Sequence, residues 1–430
     1  MKKIIAISLV AILAVGSVFA AFTGNASISG GYNFETGEYG FFSNDQAFDM
    51  DIELTTASVE QAAEGDVYAS VKASLAVKLY DGDDLTSKPG VLKVGDNLFV
   101  VAKITEAKIV GENWYVSILG MPGAPDYAKS AIDTKTVKGD TDDFKFALDD
   151  YDTAISLGHN YTKVAGVELG YADYKVGFGL NGNSKTDKLD VAGFVATPEY
   201  DFSGVTLQVA GTAYKGAGTG FAELGVSAKV GFANDTLSAS VASDANLSIP
   251  TTKTGEVKFD ADVAANFVYD FVTLDAYYAT NVEGIENLVS VQAVTDLNSF
   301  DVPVKLTLAG KNLVHDQDLS AKAEFNATEE IALRVNAGYV VSTKNLSTGV
   351  GATYAAENFT VKGDVGYAVT VKTEKTNVLT LSASVESSTL VPGATLKLAY
   401  SKAEEAQNLL KDQATAQNFG KIVASAKIAF

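Results

Sequence analysis

The chain has 430 residues, with 53 acidic against 33 basic side chains, a formal net charge of −20, two histidines and no cysteine. So large an acidic excess argues against an electrostatic partnership with nucleic acid, whose phosphates it repels. Without cysteine there is no disulfide framework, no thiol nucleophile and no thiolate metal site; the length suits two or three soluble domains or one large β-barrel.

The first element is "MKKIIAISLVAILAVGSVFA". Lys2 and Lys3 precede an apolar run from Ile4 to Val15, and Val18-Phe19-Ala20 places small residues before a cleavage point. That is the plan of a secretory signal peptide cut after Ala20. The run is shorter than the roughly 20 residues a spanning helix needs. Residues 1–20 are therefore expected to be removed, leaving 21–430 as one exported domain.

No later stretch is apolar over the roughly 18 residues of a membrane helix. Hydrophobicity alternates instead. In "FDMDIEL", Phe48, Met50, Ile52 and Leu54 interleave with Asp49, Asp51 and Glu53. From Val67 to Leu79 the odd positions are apolar, against Lys72 and Lys78 among the even ones. "VKFDADVAANFVYDF" and "FTVKGDVGYAVTV" repeat the pattern around Lys258, Asp260, Asp262, Lys362 and Asp364. A period of two predicts strands, and the chain reads as all-β.

In chain order, strands are predicted near 22–34, 46–58, 66–80, 98–109, 111–120, 143–149, 152–158, 162–171, 174–181, 188–196, 202–214 and 220–232. They continue near 235–243, 256–270, 271–281, 287–296, 302–310, 318–328, 330–342, 347–356, 358–371, 377–388, 394–401 and 420–430. Allowing for mergers, the count is about 20–24, and many have the 9–11 residues or more that a tilted strand needs to cross a bilayer. Short turns such as 172–174, 233–235, 328–330 and 356–358 alternate with longer polar connections such as 181–187, 244–255 and 311–317. Six of the seven prolines fall in these connections and Pro303 at a strand start, where a missing N–H does no harm to a ladder.

Long alternating strands, with no helix to cover a face, predict a closed antiparallel up-and-down barrel that crosses a membrane, because only closure pairs every backbone group in lipid. A soluble secreted β-protein is the alternative. In these features the chain resembles the bacterial outer-membrane porin class over residues 21–430. The resemblance implies export through the periplasm to the outer membrane of a diderm bacterium, with outer-membrane lipids as surroundings. It further implies that the last strand, with Ile422, Ile428 and the terminal Phe430, is read by the barrel assembly machinery, and that deletion of Phe430 impairs assembly.

The polar rows supply candidate pore-lining residues of both signs: Asp49, Asp51, Glu53, Asp260, Asp262 and Asp364 against Lys72, Lys78, Lys258, Lys322, Arg334 and Lys362. Such a lining passes small hydrophilic solutes or ions with a mild cation preference. Residues 121–143 and the helix-like 401–420 are rival candidates for a segment that folds inward and narrows the passage. A surface-exposed structural or adhesive barrel is the competing function, and monomer and homo-oligomer both stay open. No enzyme and no cofactor are expected. His159 and His315 stand alone, although Asp316 follows His315. "GFGLNG" (177–182) lacks the strand–turn–helix context of a dinucleotide loop, and "DGDD" (81–84) reads as a strand-ending turn.

Overall fold

The computed structural model describes residues 21–34, 39–40, 48–55, 67–79, 91–94, 98–117, 126–132, 166–183, 188–216, 221–251, 255–282, 285–370, 376–405 and 420–429. The signal segment with Ala20, the expected strands at 143–149 and 152–158, His159, "DGDD" and Phe430 lie outside these residues.

The described chain is almost entirely strand. Its first half contains β1 (Ala21–Asn33), β2 (Tyr39–Gly40), β3 (Phe48–Thr55), β4 (Tyr68–Leu79), β5 (Val91–Val94), β6 (Leu98–Val110), β7 (Trp114–Ser117), β8 (Gly166–Tyr171), β9 (Tyr174–Asn183), β10 (Lys188–Ala196), β11 (Tyr200–Phe202) and β12 (Val205–Lys215). The second contains β13 (Phe221–Ala233), β14 (Leu237–Pro250), β15 (Lys258–Tyr269), β16 (Val272–Val282), β17 (Ile285–Asp296), β18 (Val304–Lys311), β19 (Asp318–Asn326), β20 (Ile331–Val340), β21 (Asn345–Ala355), β22 (Thr360–Thr370), β23 (Thr376–Val391), β24 (Ala394–Glu405) and β25 (Lys421–Ala429). All 25 belong to one sheet.

Neighbours in sequence are antiparallel neighbours in space, the up-and-down order of successive hairpins. Three short strips, β2, β5 and β11, lie against β1, β6 and β12. The last strand, β25, pairs with β24 and also with β1, from Asn25 opposite Ala429 to Asn33 opposite Lys421. Among the two-residue connections, Ala172-Asp173 has φ 45° and 68°, the positive pair of a type I′ hairpin whose twist matches its strands.

Two expected boundaries move furthest outward. The strand predicted to stop at 243 runs on as β14 to Pro250, so Pro250 ends a strand instead of lying in a connection. "Asp-Ala-Asn" there has turn composition, but β13 offers partners down to Phe221, and ladder hydrogen bonds outweigh local preference. Likewise β24 continues to Glu405, opposite Val378, through the start of the segment with helical composition. Residues 406–419 lie outside the described set.

Alternation gives the sheet two unlike faces. One carries Val, Leu, Phe and Tyr in the open: Leu169 is 51% exposed, Val241 52%, Val335 53% and Leu398 53%. The other holds the buried polar groups, among them Glu168, Asp244, Asp262, Asp275, Ser290 and Thr307. This is the reverse of a water-soluble fold, in which carboxylates are almost never fully buried and large aliphatics gather inside. A fully exposed Leu or Val in water forgoes about 1.5–3 kcal/mol of burial free energy, and these half-exposed ones roughly half as much.

Candidate functional site

Strand register brings polar residues distant in sequence into rows. Across β12 to β17 one row reads Ala210, Ser227, Asp244, Asp262, Ala279, Leu288, each opposite the next. Asp244 and Asp262 are both fully buried. The Tyr277 hydroxyl donates to Asp262 at 2.8 Å. Asp275, further along, accepts from Asn266 at 2.7 Å and from Gln292 at 3.4 Å.

Residues 126–132 lie across this face. The backbone N–H of Tyr127 donates to Ser227 Oγ at 3.0 Å and to Asp244 Oδ1 at 3.2 Å. That of Ala128 donates to Asp244 Oδ2 at 3.2 Å, and the Ser227 hydroxyl donates to Asp244 as well. Three donor groups thus satisfy a carboxylate whose desolvation is otherwise unopposed. The Tyr127 side chain packs on Ala192, Phe194, Ala196, Ala210 and Tyr214, an apolar shelf on β10 and β12. Burial, then the nearby Asp244 charge, push the Tyr127 phenol above its usual value. Along the segment Ala128, Ser130 and Ile132 are buried while Lys129 and Ala131 are exposed. Ser130 ties down its end by exchanging hydrogen bonds with the Ile132 backbone.

Small residues make room for the aromatic groups of the face. A Cβ at Gly177 would stand 2.0 Å from the Phe194 ring, and one at Gly170 would stand 2.1 Å from Tyr115. Glycine here is a requirement of close approach. Tyr115 donates to Glu168, and Lys108 sits 4.9 Å from its ring centroid.

Among the residues expected from sequence, Asp262 is buried, Asp260, Lys322, Arg334 and Asp364 are half-buried, and Lys258 and Lys362 are exposed. Arg334 pairs with Asp364 at 2.6 Å, and Lys322 with Glu324 at 3.1 Å. Asp49, Asp51 and Glu53 fall in β3 and Lys72 and Lys78 in β4, with Asp49 opposite Lys78. On β25, Ile428 is exposed and Ile422 half-buried. Asp316 accepts from Asn312 and Ser342. Ser227, Asp244, Asp275 and Tyr127 are additions that sequence reading missed. Asp244 was hidden by the early strand end, although its alternation with Val241, Ser243 and Ala245 was readable.

At the strand ends joined by short connections, aromatic side chains meet edge to face: Tyr174 with Tyr200 at 6.3 Å, Phe271 with Phe300 at 4.8 Å and Tyr354 with Phe359 at 6.1 Å. Exposed Tyr171, Phe202 and Tyr269 extend this rim.

No protein-family model matches the chain, and no curated protein matches its sequence. Its structure is similar to those of bacterial outer-membrane β-barrel proteins. The translocation pore of the P pilus usher PapC is 9% identical with a TM-score of 0.41, covering 95% of this chain and 99% of that one. Wzi of Escherichia coli, an outer-membrane protein involved in group 1 capsule assembly and a carbohydrate-binding barrel, is 8% identical at 0.35, covering 97% and 86%. A mutant porin of Rhodopseudomonas blastica is 12% identical at 0.30, covering 95% and 99%. Resemblances this distant leave the reading to the chain's own residues.

Proposed function

We propose that residues 21–430 form one closed transmembrane β-barrel of a bacterial outer membrane, and that its polar interior is a channel for passive diffusion of small hydrophilic solutes or ions. The observation that carries this reading is the inverted sheet, with carboxylates covered on one face and large aliphatics bare on the other. An apolar solvent outside and a polar compartment inside are the conditions under which that inversion lowers free energy. Pairing of β25 with β1 supports closure, since it leaves neither strand as a bare edge in lipid. The aromatic rim supports a bilayer interface, where amphipathic rings collect. Setting aside β2, β5 and β11, 22 strands among the described residues make up the proposed wall.

Asp244, Asp260, Asp262 and Asp275 on three consecutive strands favour a mild preference for cations. Residues 126–132, laid on the same wall, would narrow the passage. That segment also favours a second reading: if the interior is filled, the protein is a structural or adhesive barrel with little transport. Swelling of liposomes containing the purified full-length protein separates the two. A channel gives swelling rates that fall as the solute grows; folded protein that leaves rates at the level of empty liposomes supports the second reading.

A further inference from the structure

We propose that Asp244 is the latch that holds residues 126–132 against the barrel wall, and that the state of this latch sets the cross-section open to solutes. The consequence for solutes rests on the channel reading above; the latch itself does not.

The seat of the segment has two chemically different halves. On β10 and β12 the Tyr127 side chain packs against the apolar cluster that contains Phe194 and Tyr214. Apolar contact of that kind is non-directional and fixes no register. On β13 and β14 the contacts are directional. Two successive backbone N–H groups, of Tyr127 and Ala128, converge on the two oxygens of one carboxylate, which also takes the Ser227 hydroxyl. Hydrogen bonds to a carboxylate are stronger than neutral ones and aim the groups that make them.

The dependence runs both ways. Asp244 stands opposite Asp262 in the β14–β15 ladder, and both are fully buried. Two carboxylates in facing positions disfavour each other. The N–H groups of the segment offset that cost, so Asp244 is best satisfied when the segment is seated, and the segment is registered only where Asp244 stands. Lys129, between the residues bonded to the wall and Ser130, stays exposed. A closed latch therefore leaves the Lys129 cation exposed beside the wall, and an open one frees an acid.

The absence of native cysteine permits a direct test. Full-length Ala128→Cys protein in detergent micelles is treated with a membrane-impermeant maleimide, with Lys129→Cys as the exposed reference. Cys at 128 should react slowly in the otherwise native chain. Adding Asp244→Ala should raise its rate by about tenfold or more, and Asp244→Asn, which keeps one acceptor oxygen, should fall between. Heat-modifiable gel mobility reports whether each variant is folded, and the Asn variant serves if the Ala variant is not. An unchanged rate in a folded Asp244→Ala or Asp244→Asn variant overturns the latch. In planar bilayers the same substitutions should raise single-channel conductance. Faster labelling without any conductance from the unmodified protein would leave the latch standing and remove the channel.

Discussion

Arg334 of β20 and Asp364 of β22 form an ion pair at 2.6 Å although a whole strand, β21, lies between them. Gly351 makes this reach possible. It stands opposite both residues, and a Cβ there would lie 2.2 Å from Asp364 Oδ1 and 2.7 Å from Arg334 Nε. The Ser382 hydroxyl steadies the other carboxylate oxygen at 3.3 Å. Gly351→Ala should force the pair apart and cost about 1 kcal/mol, the upper end of the scale for a solvent-accessible ion pair. Urea titration of the protein folded into lipid vesicles measures this. In combination with Asp364→Asn the losses should be less than additive, because both remove one interaction.

The aromatic shelf under Tyr127 depends on Gly177 in the same way. Gly177→Ala drives a methyl group into the Phe194 ring, and overpacking of this kind costs about 1–3 kcal/mol. Gly363 is the control: a Cβ there meets nothing within 4 Å, so Gly363→Ala should leave the unfolding midpoint unchanged or raise it slightly. Equal effects at the two sites would contradict the close packing of the shelf.

Neighbouring residues on β20 test the assignment of faces. Val335 is on the exposed apolar face and Asn336 on the polar one. Val335→Lys should destabilise the membrane-inserted protein by about 2–4 kcal/mol, whereas Asn336→Lys should cost far less and shift ion selectivity towards anions. Vesicle refolding yields for the two variants compare them directly.

Why was so much of the wall legible, and the latch not? β10 was predicted at 188–196 and is Lys188–Ala196 because its alternation, "KLDVAGFVA", is bounded on both sides by turn residues. β25 was predicted at 420–430 and is Lys421–Ala429 because "KIVASAKIA" alternates without a break. Strand periodicity is local information. β14 was cut short where Asp244-Ala245-Asn246 imitates a turn, and only its partners on β13 carry it on to Pro250. Residues 126–132 show no hydrophobic alternation in the sequence, and their contacts reach Ser227 and Asp244, 100 and 117 residues away from Tyr127. Interspersed charge on the polar rows was readable from alternation, but which carboxylate meets which donor depends on register, and register is set by neighbouring strands.

Charge on the β15 wall should be felt by permeating ions. Asp260 is half-buried and accepts from Asn281 Nδ2 at 2.5 Å. Asp260→Asn removes one negative charge from the passage and should move the reversal potential, measured across a salt gradient, towards lower cation selectivity. The shift should shrink as salt is raised, because screening shortens the reach of the charge.

The most direct measurement of the central claim is single-channel recording of purified, heat-modifiable full-length protein in planar lipid bilayers. A diffusion channel with an acidic wall gives discrete conductance steps with a mild preference for cations. Folded, inserted protein that produces no steps would contradict it.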